Sequence, residues 1–156
     1  MASKKAASST ASAISIKPSL IRLTVPSRKA TPSPPVGPAL GQRGIKAIDF
    51  CKSFNDKTKA YIEGLPIPVN IYVKPDKSYT FVVKSPSTSY FLKLAAGVEK
   101  GSQRTSDTIV GQVSLKHIYE IAKIKSTDPG MDSYDHHQVA RMVAGQATSM
   151  GIKVVP

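Results

Sequence analysis

Four residues late in the chain, Arg141, Gly145, Thr148 and Ser149, stand at spacings i, i+4, i+7 and i+8. On an α-helix such positions share one stripe. Their types suit binding more than bond-breaking: a guanidinium, two short hydroxyls and a gap. Thr and Ser hydroxyls bond phosphate, sugar or a 2′-OH. Glycine inside a helix costs about 1 kcal/mol relative to alanine, which is tolerable where something approaches the backbone closely. That something is either an RNA backbone or a neighbouring helix, and the stripe alone leaves both readings open. Lys93, Lys100, Lys116, Lys123 and Lys125 stand either around that face, contacting phosphates, or on an ordinary solvated surface. Arg104 is a similar case.

Other chemistry is poorly provided for. The three histidines, His117, His136 and His137, form no His-Glu-x-x-His pattern and have no cysteine cluster beside them, so no metal site is expected. His136 and His137 are placed on an exposed part of the last helix. Cys51 is the only cysteine, so no disulfide forms within the chain, and its apolar neighbours point to a buried thiol. The glycines match neither the dinucleotide fingerprint nor the phosphate loop that needs Gly-Lys-Ser/Thr. No Ser-His-Asp set or carboxylate pair stands out. Neither an enzyme, a cofactor nor a small-molecule substrate is expected.

Charge points to a polyanion. The chain has 156 residues and a net charge of +12, with a pI near 9.9. Residues 1–87 carry 14 Lys/Arg against 4 Asp/Glu, and residues 88–156 carry 8 against 6. A nucleic-acid site in the second part must therefore rest on shape and hydrogen bonding as well as charge. No run of eighteen apolar residues exists, so no membrane-spanning helix is expected. Residues 1–16 are rich in Ser and Ala, contain Lys and lack acids. They read as a tail or as an organellar targeting segment.

The elements that position these residues follow from periodicity. Ile21, Leu23 and Val25 alternate with polar residues and mark a strand over Ser19–Val25. Ile45, Ile48, Cys51 and Phe54 mark an apolar helix stripe ending near Lys57 to Ala60. Ile67, Val69, Ile71 and Val73, then Tyr79, Phe81 and Val83, mark two strands around a Pro75-Asp76-Lys77 turn. This makes a small α/β domain over 17–84, with a three-stranded antiparallel-type sheet and a helix. Ser85-Pro86-Ser87 reads as a hinge. Residues 88–156 read as a three-helix bundle: Thr88–Ala96, a polar loop Val98–Gln112, Leu115–Ser126 capped by Ser114, and about Ser133–Met150. Leu115, Ile118, Tyr119 and Ala122 form one expected core face, and Val139, Met142, Val143, Ala147 and Met150 another. Ile152–Val155 suits a short terminal strand. The fold class is α+β.

Between the first strand and the first helix lies PSPPVGPALGQRG, with four prolines and three glycines in thirteen residues. It has no ionisable group before Arg43, so it cannot do acid–base chemistry. It can present a stiff, preorganised apolar surface to a partner, or serve only as a rigid connector. Pro38 suits the opening of a short helical turn.

Pro32–Gln42 (PSPPVGPALGQ), Asp49–Asn55 (DFCKSFN), Gly64–Val69 (GLPIPV), Phe91–Gly97 (FLKLAAG) and Ser149–Gly151 (SMG) resemble the large-subunit ribosomal protein eleven family, of bacterial and organellar type. The resemblance runs in register from about Ile16 to Val155. It implies a two-domain structural protein at the ribosomal stalk base, in the GTPase-associated centre. Its homeodomain-like C-terminal domain binds large-subunit rRNA, and its mobile N-terminal domain faces translational GTPases and release factors, beside neighbouring stalk proteins. Carried over by motif, the rRNA-facing positions are Lys93, Lys100, Gly101, Ser102, Lys125, Gly145, Thr148, Ser149, Met150 and Gly151, with Arg141 on the same stripe. The factor- and antibiotic-facing elbow maps to Pro34, Pro35, Gly37 and Pro38. Gln146 and Thr148 depart from the bacterial pattern. The N-terminal extension is absent from bacterial members, and SLKHIYEIAKIK (Ser114–Lys125) resembles fungal mitochondrial members, so the resemblance implies a mitochondrial location.

A DNA-reading regulator built on the same three helices is the rival. It would place Arg, Asn or Gln at several base-reading positions, where this face offers Gly, Thr and Ser apart from Arg141 and Gln146.

Overall fold

The computed structural model describes residues 19–103 and 108–156. The expected N-terminal segment and Arg104 and Thr105 of the polar loop lie outside the described residues. The chain runs β1 (Ser19–Pro26), α1 (Val36–Gly41), α2 (Ala47–Lys57), β2 (Pro66–Val73), β3 (Tyr79–Val83), α3 (Thr88–Ala96), β4 (Gly111–Ser114), α4 (Leu115–Ser126), α5 (His136–Ser149) and β5 (Ile152–Val155).

Alternation builds the first sheet. β1, β2 and β3 pair antiparallel in that order, with Leu23 opposite Val69 and Ile71 opposite Phe81. Val25, Ile67, Val69, Ile71 and Val73 are buried against α2, where Phe50 and Phe54 are fully buried. Phe50 meets Phe81 edge-on, with ring centroids 5.4 Å apart. Lys57 lays its ammonium 4.1 Å from the centre of the Phe81 ring, a cation–π contact at the rim of this core.

The helix stripe differs from the expected one. Ile48 is 58% exposed, while Phe50, Cys51 and Phe54 face the sheet. Spacing by three walks around a helix of 3.6 residues per turn. Phe50 and Phe54, four apart, stay on one face. Burial pushes the Cys51 thiol pKa up from its ordinary value.

The second core joins α3, α4 and α5 through Leu92, Ile118, Ile121, Ala122, Val139, Val143 and Ala147. It is not made of helices alone. β4 and β5 pair in parallel, with Val113 opposite Val154, and bury Val113 and Ile152. The expected polar loop therefore ends before Gly111, and Gly111–Ser114 is strand. Glycine fits position 111 because a Cβ there would lie 3.1 Å from Ala96 Cβ and 3.2 Å from a Val98 methyl. The last helix begins at His136, capped by Asp135, rather than at Ser133. Leu115, Tyr119 and Met142, expected in the core, are exposed. On α4 the inward face is Ile118, Ile121 and Ala122, spaced by three and four. Tyr119 instead packs edge-on against His136, which is half-buried rather than exposed.

Phe50→Ala should destabilise the N-terminal half by about 3–5 kcal/mol. Ile48→Ala should change its stability by no more than about 0.5 kcal/mol. Denaturant unfolding of the two variants checks this assignment, and comparable losses would contradict it.

Candidate nucleic-acid interface

α5 starts from a capping box in which Asp135 N–H donates to Gln138 Oε1 at 3.1 Å. Val139, Val143 and Ala147 then turn one face of the helix into the core. Arg141, Gly145, Thr148 and Ser149 take the opposite face, and all four are exposed. A Cβ added at Gly145 would meet nothing within 4 Å. Among the described residues, no neighbouring helix explains that glycine.

The two hydroxyls are partly committed. Thr148 Oγ1 donates to Ala144 O at 3.1 Å and Ser149 Oγ donates to Gln146 O at 2.8 Å. Their protons point back along the helix, so their lone pairs face outward. In that state the stripe accepts hydrogen bonds, as from a ribose 2′-OH, and Arg141 supplies the donors.

The end of α5 meets the loop after α3. Ser102 N–H donates to Met150 O at 2.9 Å, and Val110 N–H donates to Gly151 O at 2.9 Å. Gly151 has φ +72°, and a Cβ there would fall 2.5 Å from Ser102 Cβ and 2.8 Å from Thr108 O. Only glycine allows this closure. A Cβ at Gly101 would sit 3.2 Å from Met150 O. The fold thus gathers Gly101, Ser102, Met150 and Gly151 into one corner, one turn from Thr148 and Ser149.

Beside this corner is a shallow cleft of about 360 Å³ lined by Ile109, Thr148, Gly151, Ile152, Lys153 and Val154. Ile109 is 64% exposed, an apolar platform that the sequence reading missed, as it missed Lys153. The period-two pattern of β5 could have exposed Lys153. Nothing local marks Ile109, because its position depends on the loop's return to Gly151. Lys100 is exposed, and Lys93 is half-buried along a second cleft with Tyr90, Leu94 and Val98.

Lys125 does not join them. Its ammonium lies 2.8 Å from Asp128 Oδ2, and the two side chains are only 12% and 10% exposed. It also donates to Ser85 Oγ at 2.9 Å. The sequence expectation of an RNA-facing Lys125 is therefore corrected: its charge is neutralised inside the chain. Burial by itself would raise the Asp128 pKa. Hydrogen bonds from Lys125 and from the Ser85 amide and hydroxyl, with the Lys125 charge, outweigh it and hold the pKa below the ordinary value.

The elbow belongs to the other half. β1 exits through Ser27, whose N–H donates to Leu65 O at 2.9 Å and whose hydroxyl bonds Ile62 O. Asn55 then brackets Ala30, accepting from its N–H at 3.0 Å and donating to its carbonyl at 3.3 Å. α1 opens at Val36, two residues before the expected Pro38, because Val36 and Leu40 anchor it in the core. Pro38 still lies in the first turn, where its missing N–H costs nothing. Pro34, Pro35 and Pro38 remain exposed, and the Pro34–Pro35 bond is cis. Glycine is needed at position 37 because a Cβ there would run into Pro32 O. Lys77, in the β2–β3 turn, lays its stem 3.5 Å from where a Gly44 Cβ would stand, so a cation sits just beyond the uncharged elbow.

Among the described residues, no helix is long and apolar enough to cross a membrane, and no three His, Cys, Asp or Glu gather to hold a metal ion. A preorganised apolar elbow on one half and an acceptor-rich, cation-edged helix face on the other are surfaces suited to binding, and comparison with known proteins gives the class. Residues 84–154 match the family described as "Ribosomal protein L11, RNA binding domain", and residues 21–79 match "Ribosomal protein L11, N-terminal domain". The chain is also similar to "Large ribosomal subunit protein uL11m" of Schizosaccharomyces pombe, 49% identical over 142 residues, which span 91% of this chain and 99% of the relative. This chain belongs to the ribosomal protein L11 family, whose members are ribosomal components and not enzymes.

Asp128 supplies a pH test. Its folded-state pKa is lowered, so its stabilisation is present above the unfolded value near 3.9 and is lost as pH falls through the folded value. Helical circular dichroism during denaturant unfolding should show stability falling below about pH 4. Asp128→Asn should be less stable at pH 7 and should flatten that acid limb. An unchanged limb would mean that the carboxylate is not held as described.

Proposed function

We propose that the chain is a structural component of the mitochondrial large ribosomal subunit, seated on rRNA at the stalk base and GTPase-associated centre. Family membership and the mitochondrial relative support the ribosomal and mitochondrial parts of this reading. The net charge of +12 supports a nucleic-acid partner. The stalk base, the neighbouring stalk proteins and the translational GTPases and release factors are what the family resemblance implies.

In this reading residues 88–156 form the rRNA-binding domain, residues 17–84 carry the elbow, and residues 85–87 connect them. The single observation that carries the RNA assignment is the open space at Gly145 on the face opposite the core. The chain accepts a helical glycine that its own packing does not require, so the close approach belongs to a partner. Arg141, Lys93 and Lys100 contact phosphates. Thr148 and Ser149 accept from 2′-hydroxyls, and the corner of Gly101, Ser102, Met150 and Gly151 fits the RNA by shape. Pro34, Pro35, Gly37 and Pro38 face translation factors and thiazole antibiotics.

Equilibrium binding of the full chain to the folded stalk-base rRNA fragment tests this, with a scrambled RNA of equal length as control. Among the described residues, the cations assigned to phosphates, Arg141, Lys93 and Lys100, imply a slope of log K against log salt of about −2 to −3, together with preference for the folded fragment. Equal binding to both RNAs with a much steeper slope would leave only bulk charge. Gly145→Ala should stabilise the helix by about 1 kcal/mol. Gly145→Val should lower RNA affinity at least about tenfold, or about 1.4 kcal/mol, while circular dichroism remains helical. Normal binding by Gly145→Val would remove the stripe from the site.

Pro35→Ser should reduce factor-dependent GTP hydrolysis on reconstituted ribosomes and leave rRNA affinity within twofold, roughly 0.4 kcal/mol. Equal loss of both would refute the division of labour.

A further inference from the structure

Residues 84–87 join β3 to α3, and their amides are bonded in opposite directions. Lys84 N–H donates to Pro68 O at 3.0 Å and so extends the first sheet. Ser85 N–H, the very next amide, donates to Asp128 Oδ1 at 2.7 Å. Ser85 Oγ donates to Asp128 Oδ2 at 2.7 Å. Lys125 closes the cluster from α4, donating to Ser85 Oγ at 2.9 Å and to Asp128 Oδ2 at 2.8 Å. Pro86 is buried, and the Ser87 hydroxyl caps α3 by accepting from Tyr90 N–H at 3.3 Å. Residues 85–87, which read from sequence as a free hinge, are bolted to the C-terminal half.

Among the described residues the two halves bury separate apolar clusters. A cleft of about 560 Å³ separates Tyr61, Ile62 and Val83 on one wall from Ile124 and Pro129 on the other. Peptide planarity leaves only φ and ψ of Lys84 between one anchored amide and the next. We propose that Lys125, Asp128 and Ser85 form a latch that places the pivot between the two halves at the single residue Lys84. The latch thereby confines any change in the angle between the proline elbow and the α5 face to that one residue. Lys125 and Asp128 are positioning residues, and the cleft is the space into which the halves swing.

The inference concerns only the free chain, so it stands or falls apart from the RNA reading. Backbone ¹⁵N relaxation and residual dipolar couplings of the full chain test it. In the wild type the Ser85 and Ser87 amides should have order parameters of about 0.85 and should align with α3–α5, and Lys84 should align with the sheet. Values below about 0.6 at both serines in the wild type would overturn the proposal. Asp128→Ala and Lys125→Met should drop Ser85 below about 0.6 and make the two halves align independently, with each half's own couplings unchanged. Unchanged alignment in folded variants would equally overturn it. Lys84→Gly frees the pivot and leaves the latch in place. It should widen the range of angles while Ser85 stays ordered, and it remains decisive if Asp128→Ala unfolds the helices. Loosening of Ser85 in Lys84→Gly would place the pivot elsewhere.

Discussion

Two separate apolar cores are joined by a linker that one largely buried ionic cluster fixes to the second of them. The Asp128 carboxylate receives three donors, from the Ser85 amide, the Ser85 hydroxyl and the Lys125 ammonium. A buried charge is costly unless it is paired and hydrogen-bonded, and here each charge has its partner. Both proposed binding surfaces inherit their relation to one another from this cluster, because the elbow lies before it in the chain and the α5 face after it. Apolar burial stabilises each half separately, and the polar cluster determines where the chain can pivot between them.

Both surfaces follow one economy. Each places a glycine where a partner or the chain itself comes close, and each anchors its exposed residues from beneath with apolar ones. In the elbow, Val36 and Leu40 hold α1 to the core while Pro34, Pro35 and Pro38 stand outside. On α5, Val139, Val143 and Ala147 do the same for Arg141, Gly145, Thr148 and Ser149. A rigid platform loses little entropy on association. That suits a protein whose C-terminal half carries little net charge and must recognise its partner largely by fit.

The glycines show how meaning depends on context. Gly37 and Gly151 are demanded by close contacts within the chain, to Pro32 O and to Ser102 with Thr108. Gly145 is demanded by none. The sequence offers the same letter in each case, and only the surrounding space separates a glycine that closes a turn from one that leaves room for something else.

Much of the fold was legible in the residues alone. The alternation of Ile67, Val69, Ile71 and Val73 marks a half-buried strand whatever packs on it, and the α4 boundaries and the Gly97 stop follow from capping and backbone preferences. The helical stripe of Arg141, Gly145, Thr148 and Ser149 was legible too, since it depends only on helix geometry. Tertiary structure decided what depends on distant partners. Ile48 and Phe50 exchanged roles because the sheet selects which helix face it covers. Gly111–Ser114 became strand because β5 returns beside it in parallel, a pairing with no local signature. Lys125 looked like any other lysine near a basic face. Asp128 stands only three residues on, but the return of Ser85 from forty residues earlier is what closes the cluster and buries the pair, and local sequence carries no record of that return.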